Sequence, residues 1–436
     1  MEEPEIAAPS APAARAQADD PCAGFNIKAM DTHRVVHAAF NWLSDYPQRE
    51  YLMGFFRRFW PILRIPFAHL VIVFRDEDVR EVLTHDQEFP VPWGGKMIEL
   101  SGKKNFVLGM KEGPEYRRNY EQLAKAFRRE DVSQYVVPLA AKAAADILRG
   151  KLRIDAMRDL LWAVPAQLCE DYYGIEIPDK VLFAEWTIAM SSYLFGSASD
   201  KVATSGQPLA LAAADCFLRL IRGAIEKARQ GHSPGIVLPR LIEMQKSDPE
   251  LKDDVLEAHL LGMVTGFVPT NLLASGNMLW TLLRRKDFMQ AAQTAAVAGD
   301  DDLLWRCLRE ALRFKNFSLG PFRMCGPGGY KLTAGRRRPK SLKAGIGILA
   351  STQSAMFDSR RVTKPKQFDS QRAAEDYLEF GYGQHWCIGA FIAAAQITQT
   401  LKPLLQKQGL RRAQGAAGKL QTITVFPAHL TVEFDA

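Results

Sequence analysis

The chain has 436 residues, of which 47% are hydrophobic and 24% are charged. These ordinary globular proportions exclude a disordered or collagen-like chain. The net charge of +7 favours acidic partners, but it is small for this length and does not imply nucleic-acid binding. No apolar run approaches the roughly 20 residues of a transmembrane helix, so we predict no membrane span.

The cysteines stand far apart and include no C-x-x-C pair, at positions 22, 169, 216, 307, 325 and 387. This spacing indicates neither a disulfide framework nor a zinc ribbon. The acidic N-terminal residues also lack the pattern of a signal peptide. We therefore predict a cytoplasmic protein.

Length alone suggests about three domains. Residues 1–24 are rich in Ala and Pro and are predicted to be a disordered tail. From Phe25 onward no linker composition and no internal repeat appears. We therefore predict one large domain over residues 25–436.

The predicted elements are mainly helical. Near the start, the β-branched run 70–74 predicts a strand, and Asp76 is the predicted N-cap of the helix that follows it. Apolar residues then recur at helical spacing, predicting helices over 136–148, 209–228, 255–283 and 303–314. Two alternating runs, 420–425 and 430–434, predict a closing hairpin around Phe426-Pro427-Ala428. The fold class is therefore mainly α with a minor β region.

One glycine-rich stretch surrounds a cysteine just before the predicted helix 390–407. It reads Phe380-Gly381-Tyr382-Gly383-Gln384-His385-Trp386-Cys387-Ile388-Gly389. A cysteine at a helix N-terminus meets the positive end of the helix dipole and free N–H groups, which lower its pKa. The pattern therefore predicts a thiolate that can bind a soft metal.

This stretch resembles, at every fixed position, the haem-binding loop F-G-x-G-x-H-x-C-x-G of the cytochrome P450 family. The resemblance extends over nearly the whole chain from Phe25 and implies a cytochrome P450-like single large domain containing haem b. It implies that Cys387 gives the axial thiolate to iron, a ligand that favours O–O cleavage. It places His385 at a haem propionate and Phe380 beside the sulfur, with Gly381 and Gly389 in the cofactor-binding loop.

Two further parts of the chain fit this resemblance. Glu310 and Arg313 share a predicted helix face and resemble the family's E-x-x-R pair, which Arg372 would complete as a structural triad. Arg323 resembles the arginine that binds one propionate. Many bacterial members carry H-x-x-x-R facing the other propionate.

This chain has Tyr116 and Tyr120 at that H-x-x-x-R site. We predict both tyrosines to be cofactor residues. A neighbouring arginine, Arg117 or Arg118, is a candidate for the missing cation.

The predicted distal helix departs from the family pattern A-G-x-[DE]-T. It reads Thr265-Gly266-Phe267-Val268-Pro269-Thr270-Asn271. Pro269 is predicted to kink the helix and free the Thr265 carbonyl, because proline has no N–H. In the usual cycle the acid and the alcohol help to deliver protons, and neither Val268 nor Pro269 can do so.

Three functional hypotheses remain open. The first is a monooxygenase driven by a redox partner, in which Thr270, one position late, or Thr265 organises water beside Gly266. The second is an enzyme that uses a ready-made peroxide, as a peroxygenase, hydroperoxide isomerase or dehydratase. The family's fatty-acid peroxygenases have arginine before the proline, where this chain has Val268, and its rearranging members use an asparagine, for which Asn271 is the candidate. The third is a haem sensor that does not turn over.

The predicted substrate wall is apolar, which favours a hydrophobic small molecule. The residues chosen for it are Trp93, Met97, Phe267, Phe317 and Leu319. The densest basic run, residues 335–343, is a candidate docking surface for an acidic ferredoxin or flavodoxin. We predict a monomer.

Overall fold

The computed structural model describes residues 22, 24–30, 45–196, 206–316, 318–333 and 339–435. Helices dominate these ranges, as the sequence predicts, and the strands are few and short. The helices are α1 Gln48–Phe59, α2 Asp76–Thr84, α3 Gly94–Ser101, α4 Pro114–Ala126, α5 Val137–Leu148, α6 Ala163–Leu168, α7 Lys180–Phe195, α8 Gln207–Arg229, α9 Val237–Gln245, α10 Asp253–Leu282, α11 Lys286–Ala298, α12 Asp301–Phe314, α13 Thr352–Ala355 and α14 Ala390–Leu405. The strands are β1 Ile62–Ile65, β2 Leu70–Val73, β3 Arg153–Asp155, β4 Phe322–Met324, β5 Tyr330–Leu332, β6 Lys340–Leu342, β7 Gly347–Ala350, β8 Arg411–Arg412, β9 Gln421–Ile423, β10 Phe426–His429 and β11 Thr431–Glu433.

Helix α10 is the centre of the helical core. It contacts α7, α8, α12 and α14, and most of its residues are buried. A helix that is apolar on all sides has to be enclosed by others, which explains why the longest helix of the chain lies inside the molecule. Within the described ranges, no helix is long and apolar enough to cross a membrane.

A four-stranded sheet supports one side of this core. Its strand order is β1-β2-β7-β4, in which β2 and β7 run parallel while the other pairs are antiparallel. Arg323 lies at the middle of β4, opposite Ile348 of β7. The register therefore fixes the position of this arginine.

The closing hairpin was predicted with the wrong register. Strand β10, which contains Pro427, occupies the segment predicted as the turn, and it pairs with β9 through a bulge. The actual turn is at Thr424 and Val425, where Thr424 has a left-handed φ of 54°. Strand β11 pairs instead with β3 and β8. Strand β3 lies far away in sequence and β8 lies beyond the neighbouring hairpin, so local alternation could not identify them.

The prediction of an N-cap at Asp76 was also wrong. The helix begins at Asp76 itself, and Arg75 is the N-cap residue without a side-chain capping bond. The Asp76 amide donates to Asp358 Oδ2 at 3.1 Å. A carboxylate from a distant segment therefore satisfies the N–H that a local cap would have bound.

The expectation that the cysteines form no disulfide is contradicted by Cys22 and Cys216. Their sulfurs are bonded, and their Cα atoms lie 6.0 Å apart although 194 positions separate them in sequence. Only tertiary packing brings such residues together. The predicted tail 1–24 lies outside the described residues except for Cys22 and Gly24. A cytoplasmic location stays a prediction, and disulfides are rare in that compartment.

Candidate active site

The cysteine loop is closed by backbone hydrogen bonds that its glycines permit. The Cys387 amide donates to the Phe380 carbonyl at 2.9 Å, and the Trp386 amide donates to the Gly383 carbonyl at 3.1 Å. Gly383 has φ of 72°, and a Cβ there would collide with the Leu83 carbonyl. A side chain is therefore excluded on two grounds. This loop places Cys387 just before the start of α14.

The predicted lowering of the Cys387 pKa is wrong for the protein alone. Burial raises the pKa of this thiol to about 11, and the Gly389 amide bond that lowers it is the smaller effect. A helix N-terminus stabilises a thiolate only partly when the sulfur is desolvated. A bound cation is therefore needed to hold Cys387 as the thiolate.

Behind this loop lies a buried network centred on Glu310. Arg313 donates two bonds to its carboxylate, at 2.7 and 2.9 Å, and Arg372 Nε donates a third at 3.3 Å. The Tyr377 hydroxyl donates a fourth at 2.8 Å. The two arginines also bind carbonyls of the segment 356–367 that leads to the cysteine loop. The structure thus brings the predicted triad together, while Tyr377 was missed.

A cavity of about 1070 Å³ lies between the cysteine loop and α10. From the proximal side it is lined by Phe380, Gly381, His385, Cys387 and Gly389, all of which were predicted. From α10 it is lined by Gly266, Phe267, Thr270 and Asn271. Apart from its chain neighbours and the nearby backbone of its own helix, no atom lies within 4 Å of the point where a Gly266 Cβ would stand, so this glycine leaves room beside the cavity that Cys387 faces.

The cavity wall is compatible with a second placement of the distal pattern, one residue later in the sequence. Gly266 and Thr270, four apart on one helix face, both line the cavity, whereas Thr265 is buried with its hydroxyl 3.9 Å from Met190 Sδ. With Gly266 in the first place of A-G-x-[DE]-T, Thr270 fills the threonine place. Pro269 then stands where the pattern has the acid. The placement with Thr270 one position late, made from sequence spacing alone, stays a prediction.

The remaining distal candidates have other roles in the packing. Val268 and Pro269 are buried and do not belong to the described cavity wall, so neither presents a side chain to it. The Asn271 amide donates to Gln396 Oε1 of α14 at 2.7 Å. Helix α10 continues past Pro269 without a break to Leu282. Asn271 is therefore engaged in helix packing, through a partner that sequence spacing could not show.

Arg323 is a buried cation at the cavity. Its side chain donates to the Phe322 carbonyl at 3.0 Å. Burial lowers the pKa of Arg323 to about 10, while the charge of Asp86 raises it. Among the residues that the structure describes, no carboxylate binds this desolvated guanidinium at two points, which fits an anionic ligand group. Its position agrees with the predicted role at a carboxylate of the cofactor.

His385 has a partner that the sequence did not reveal. Its Nε2 lies 2.9 Å from Asp86 Oδ1, and both side chains are buried. Burial raises the pKa of Asp86, but His385 and the Glu112 amide together lower it overall. Asp86 lies just after the end of α2, 299 positions before His385, so no local motif could have indicated it. His385 lines the cavity while its Nε2 faces this carboxylate.

Helix α4 contributes two tyrosines and no cation to the cavity. Tyr116 and Tyr120 line it, and the Tyr116 hydroxyl donates to the Gln384 carbonyl at 3.1 Å. The prediction that Arg118 binds the cofactor is wrong. Its side chain points outward and lies 3.7 Å from Glu250, and Arg117 pairs outside with Glu112 at 2.6 Å. Neither belongs to the described cavity wall.

The substrate wall agrees only in part with the prediction. Trp93, Phe267 and Leu319 line the cavity, but Met97 is buried behind it and Phe317 lies outside the described residues. Apolar residues that the sequence did not single out complete this wall, among them Phe106, Val107 and Leu108. They precede α4 in a stretch without helical or strand periodicity, so no pattern indicated them.

These residues fit a cofactor that already contains most of the ligands of its metal ion, so that the protein has to supply few of them. Within the described residues, no group of three or more His, Cys, Asp or Glu side chains could hold a metal ion. A single cysteine facing a large apolar cavity, with a buried arginine at its edge, supplies one axial ligand and one anion site. This arrangement defines a haem-thiolate protein.

Comparison with known proteins agrees with this class. No protein-family model matches the chain. The chain is 20% identical over 322 residues to the biotin biosynthesis cytochrome P450 of Bacillus subtilis (strain 168), covering 72% of this chain and 75% of that protein. It is 26% identical over 284 residues to cytochrome P450 105A3 of Streptomyces carbophilus, covering 64% and 66%.

A solved structure extends the likeness to the fold. The crystal structure of CYP109E1 from Bacillus megaterium in complex with testosterone superposes with a TM-score of 0.75 at 18% identity, over 91% of this chain and 100% of that one. The chain is therefore similar in sequence to bacterial cytochrome P450s and shares their fold. It is an oxidoreductase, and its cofactor is haem b with an axial cysteine thiolate.

Proposed function

We propose that the protein carries out monooxygenase-type oxidation of a hydrophobic small molecule, with Cys387 as the thiolate ligand of the haem iron. The observation that supports this most is that Cys387 and the pair Gly266 and Thr270 line one cavity from opposite elements. Haem, when bound, supplies iron-centred oxidation chemistry, and an axial thiolate gives it electron density. Arg323 with Tyr120 would hold its carboxylates, and Tyr116, whose O–H is donated to the Gln384 carbonyl, would line the cavity beside them.

Thr270 is the proposed proton-handling residue of the distal wall. Its hydroxyl donates to the Gly266 carbonyl, which occupies the single O–H donor. The oxygen can then accept a hydrogen bond from a water in the cavity. Rotation of the hydroxyl away from Gly266 would present the same proton to the cavity.

A pair of isosteric substitutions tests this assignment. Thr270→Val removes the hydroxyl and should lower reductase-driven product formation by about a hundredfold, the lower end of general acid catalysis. Thr265→Val is the matched control and should retain activity within about twofold, because Thr265 contacts Met190 instead of the cavity. Equal losses in both variants would refute a specific role for Thr270.

Peroxide use is the second candidate, and Pro269 favours it. Neither placement of the distal pattern has an acid, because Val268 or Pro269 stands in its place, and α10 offers no carboxylate to the described cavity wall. A peroxide already contains the reduced O–O bond and needs less proton delivery. The experiment compares product formation from a panel of lipids, terpenoids and aromatic compounds with a surrogate ferredoxin system, hydrogen peroxide or fatty-acid hydroperoxides. Turnover with the reductase alone would eliminate the peroxide candidate.

The electron donor is proposed to be an acidic ferredoxin or flavodoxin. Two arginines cover aromatic rings beside the cysteine loop: Arg80 lies 4.6 Å from the Tyr382 ring centre, and Arg129 lies 4.1 Å from that of Phe391. Positive charge next to the haem-binding cysteine would steer an acidic partner. By contrast, residues 334–338, which include part of the basic run, lie outside the described residues. The part of the run that forms β6 lies beside β1, because Arg64 donates a hydrogen bond to the Ser341 carbonyl.

Charge reversal distinguishes the two surfaces. Arg129→Glu should slow reduction by the acidic donor, and the slowing should diminish at high salt. Lys340→Glu, on β6, should leave reduction unchanged. The opposite outcome would place the docking surface at the basic run.

A further inference from the structure

Helix α1 is amphipathic in the reverse sense to a normal surface helix. Its charged residues Arg49, Glu50 and Arg57 are buried, whereas Tyr51 and Phe59 are 72% and 62% exposed. A helix of a water-soluble domain ordinarily turns its apolar face to the core. The outward apolar face of α1 therefore requires an explanation.

The inner contacts fix this orientation. Arg49 donates to the Phe314 carbonyl at 2.8 Å and so binds the C-terminal end of α12. Arg57 donates to the Ser354 carbonyl at 2.7 Å and pairs with Glu50 at 2.5 Å. Because these buried charges would lose their partners if the helix rotated, the apolar face cannot turn inward.

The outward side chains form one patch, which we call the aromatic face. It consists of Tyr51, Leu52, Phe55, Phe59 and Trp60. The ring of Phe55 lies 5.1 Å from that of Phe59 and 5.3 Å from that of Trp60. The turn of the next hairpin adds Phe67, which is 91% exposed. Exposed apolar patches of this kind mark interaction sites.

The exposed charged side chains of the segment that contains the patch have one sign. Residues 51–75 contain four arginines and no Asp or Glu. Arg58 and Arg64 are exposed among them. Trp, Tyr and Phe beside arginine are typical of helices that lie in a membrane interface, where aromatic rings enter the headgroup region and cations meet anionic lipid.

We propose that the aromatic face of α1, together with Phe67, binds the surface of an anionic lipid bilayer without spanning it. Such attachment would hold the enzyme where apolar compounds concentrate. This inference rests on the surface alone and is independent of which oxidant the haem site uses.

The experiment is co-sedimentation of the full-length holoprotein with vesicles. One set contains phosphatidylcholine alone, and the other contains phosphatidylcholine and phosphatidylglycerol in equal parts. The wild type should pellet with the anionic set and should be released by high salt in part. Phe59→Ser with Phe67→Ser should weaken binding at least about tenfold, because each ring loses apolar burial in the interface. Arg58→Glu should weaken binding to the anionic vesicles only.

A matched control removes exposed apolar side chains elsewhere. Leu152→Ser with Val297→Ser changes two residues that are 53% and 70% exposed on other elements, and it should bind like the wild type. All variants should keep the wild-type haem spectrum, which verifies folding. The proposal is overturned if the wild type stays in the supernatant with both vesicle sets. It is also overturned if the Phe variant binds as well as the control, or if the patch mediates only self-association.

Discussion

The Glu310 network offers a quantitative test of how the cysteine loop is supported. Replacing Glu310 with Ala removes the acceptor of four side-chain bonds, from Arg313, Arg372 and Tyr377. Two guanidinium groups then stay buried without their counter-charge, because the side chains of Arg313 and Arg372 are 0% and 2% exposed. Breaking a buried ion pair on one side costs about 3–5 kcal/mol. This is a large part of the ~5–15 kcal/mol that stabilises a typical domain.

Guanidinium chloride unfolding, followed by tryptophan fluorescence, measures this loss. Glu310→Gln keeps the shape and the acceptor oxygen but removes the charge, so its loss should be smaller than that of Glu310→Ala. The control Glu243→Ala removes an exposed partner of Lys246 and should change stability by less than about 0.5 kcal/mol. If Glu310→Ala lowered the free energy of unfolding by less than about 1 kcal/mol, the arginines would be solvated in the variant, and the network could not be what supports the cysteine loop.

Three further predictions concern other parts of the molecule. Burial lowers the pKa of His259 to about 4, below its unfolded value, so the stability that the neutral side chain contributes is complete above about pH 6.5 and is lost as pH falls toward 4. Between pH 7 and pH 4.5 the free energy of unfolding of the wild type should fall by up to about 3 kcal/mol because of this residue, and His259→Gln should not show that part of the fall. Arg323→Ala should release haem to apomyoglobin at least about tenfold faster than the wild type, whereas Arg118→Ala should not; equal rates in both variants would contradict the site geometry. Because Cys22 and Cys216 are joined, the denatured protein should expose four reactive thiols before reduction and six after it, and six thiols at both stages would contradict the bond.

Apart from Arg372 and Arg323, which the family resemblance supplied, the parts of the site that sequence predicted share one physical property: their partners are close along the chain. The cysteine loop is a hairpin of ten residues whose glycines permit its turns, and Glu310 and Arg313 are neighbours on one helix turn. Such local geometry is determined by backbone conformation. The helix boundaries agree with the pattern for the same reason, since periodic burial determines them.

The failures involve contacts that only packing decides. Arg118 was chosen because it lies near Tyr116 in sequence, but on the helix it points to solvent and Glu250. Asp86 and His385 meet across most of the chain, and so do Cys22 and Cys216. Sequence spacing also could not show which face of α10 borders the cavity, and so did not separate Thr270, which lines it, from Thr265, which does not.

The carbon monoxide spectrum of the ferrous protein tests the central assignment most directly. With Cys387 as the axial thiolate, the wild type should show the red-shifted band of a haem thiolate, and Cys387→Ala should lose it. The variant Cys325→Ala, which removes a buried cysteine outside the site, should keep the band. A red-shifted band that persists in Cys387→Ala would show that another residue holds the iron.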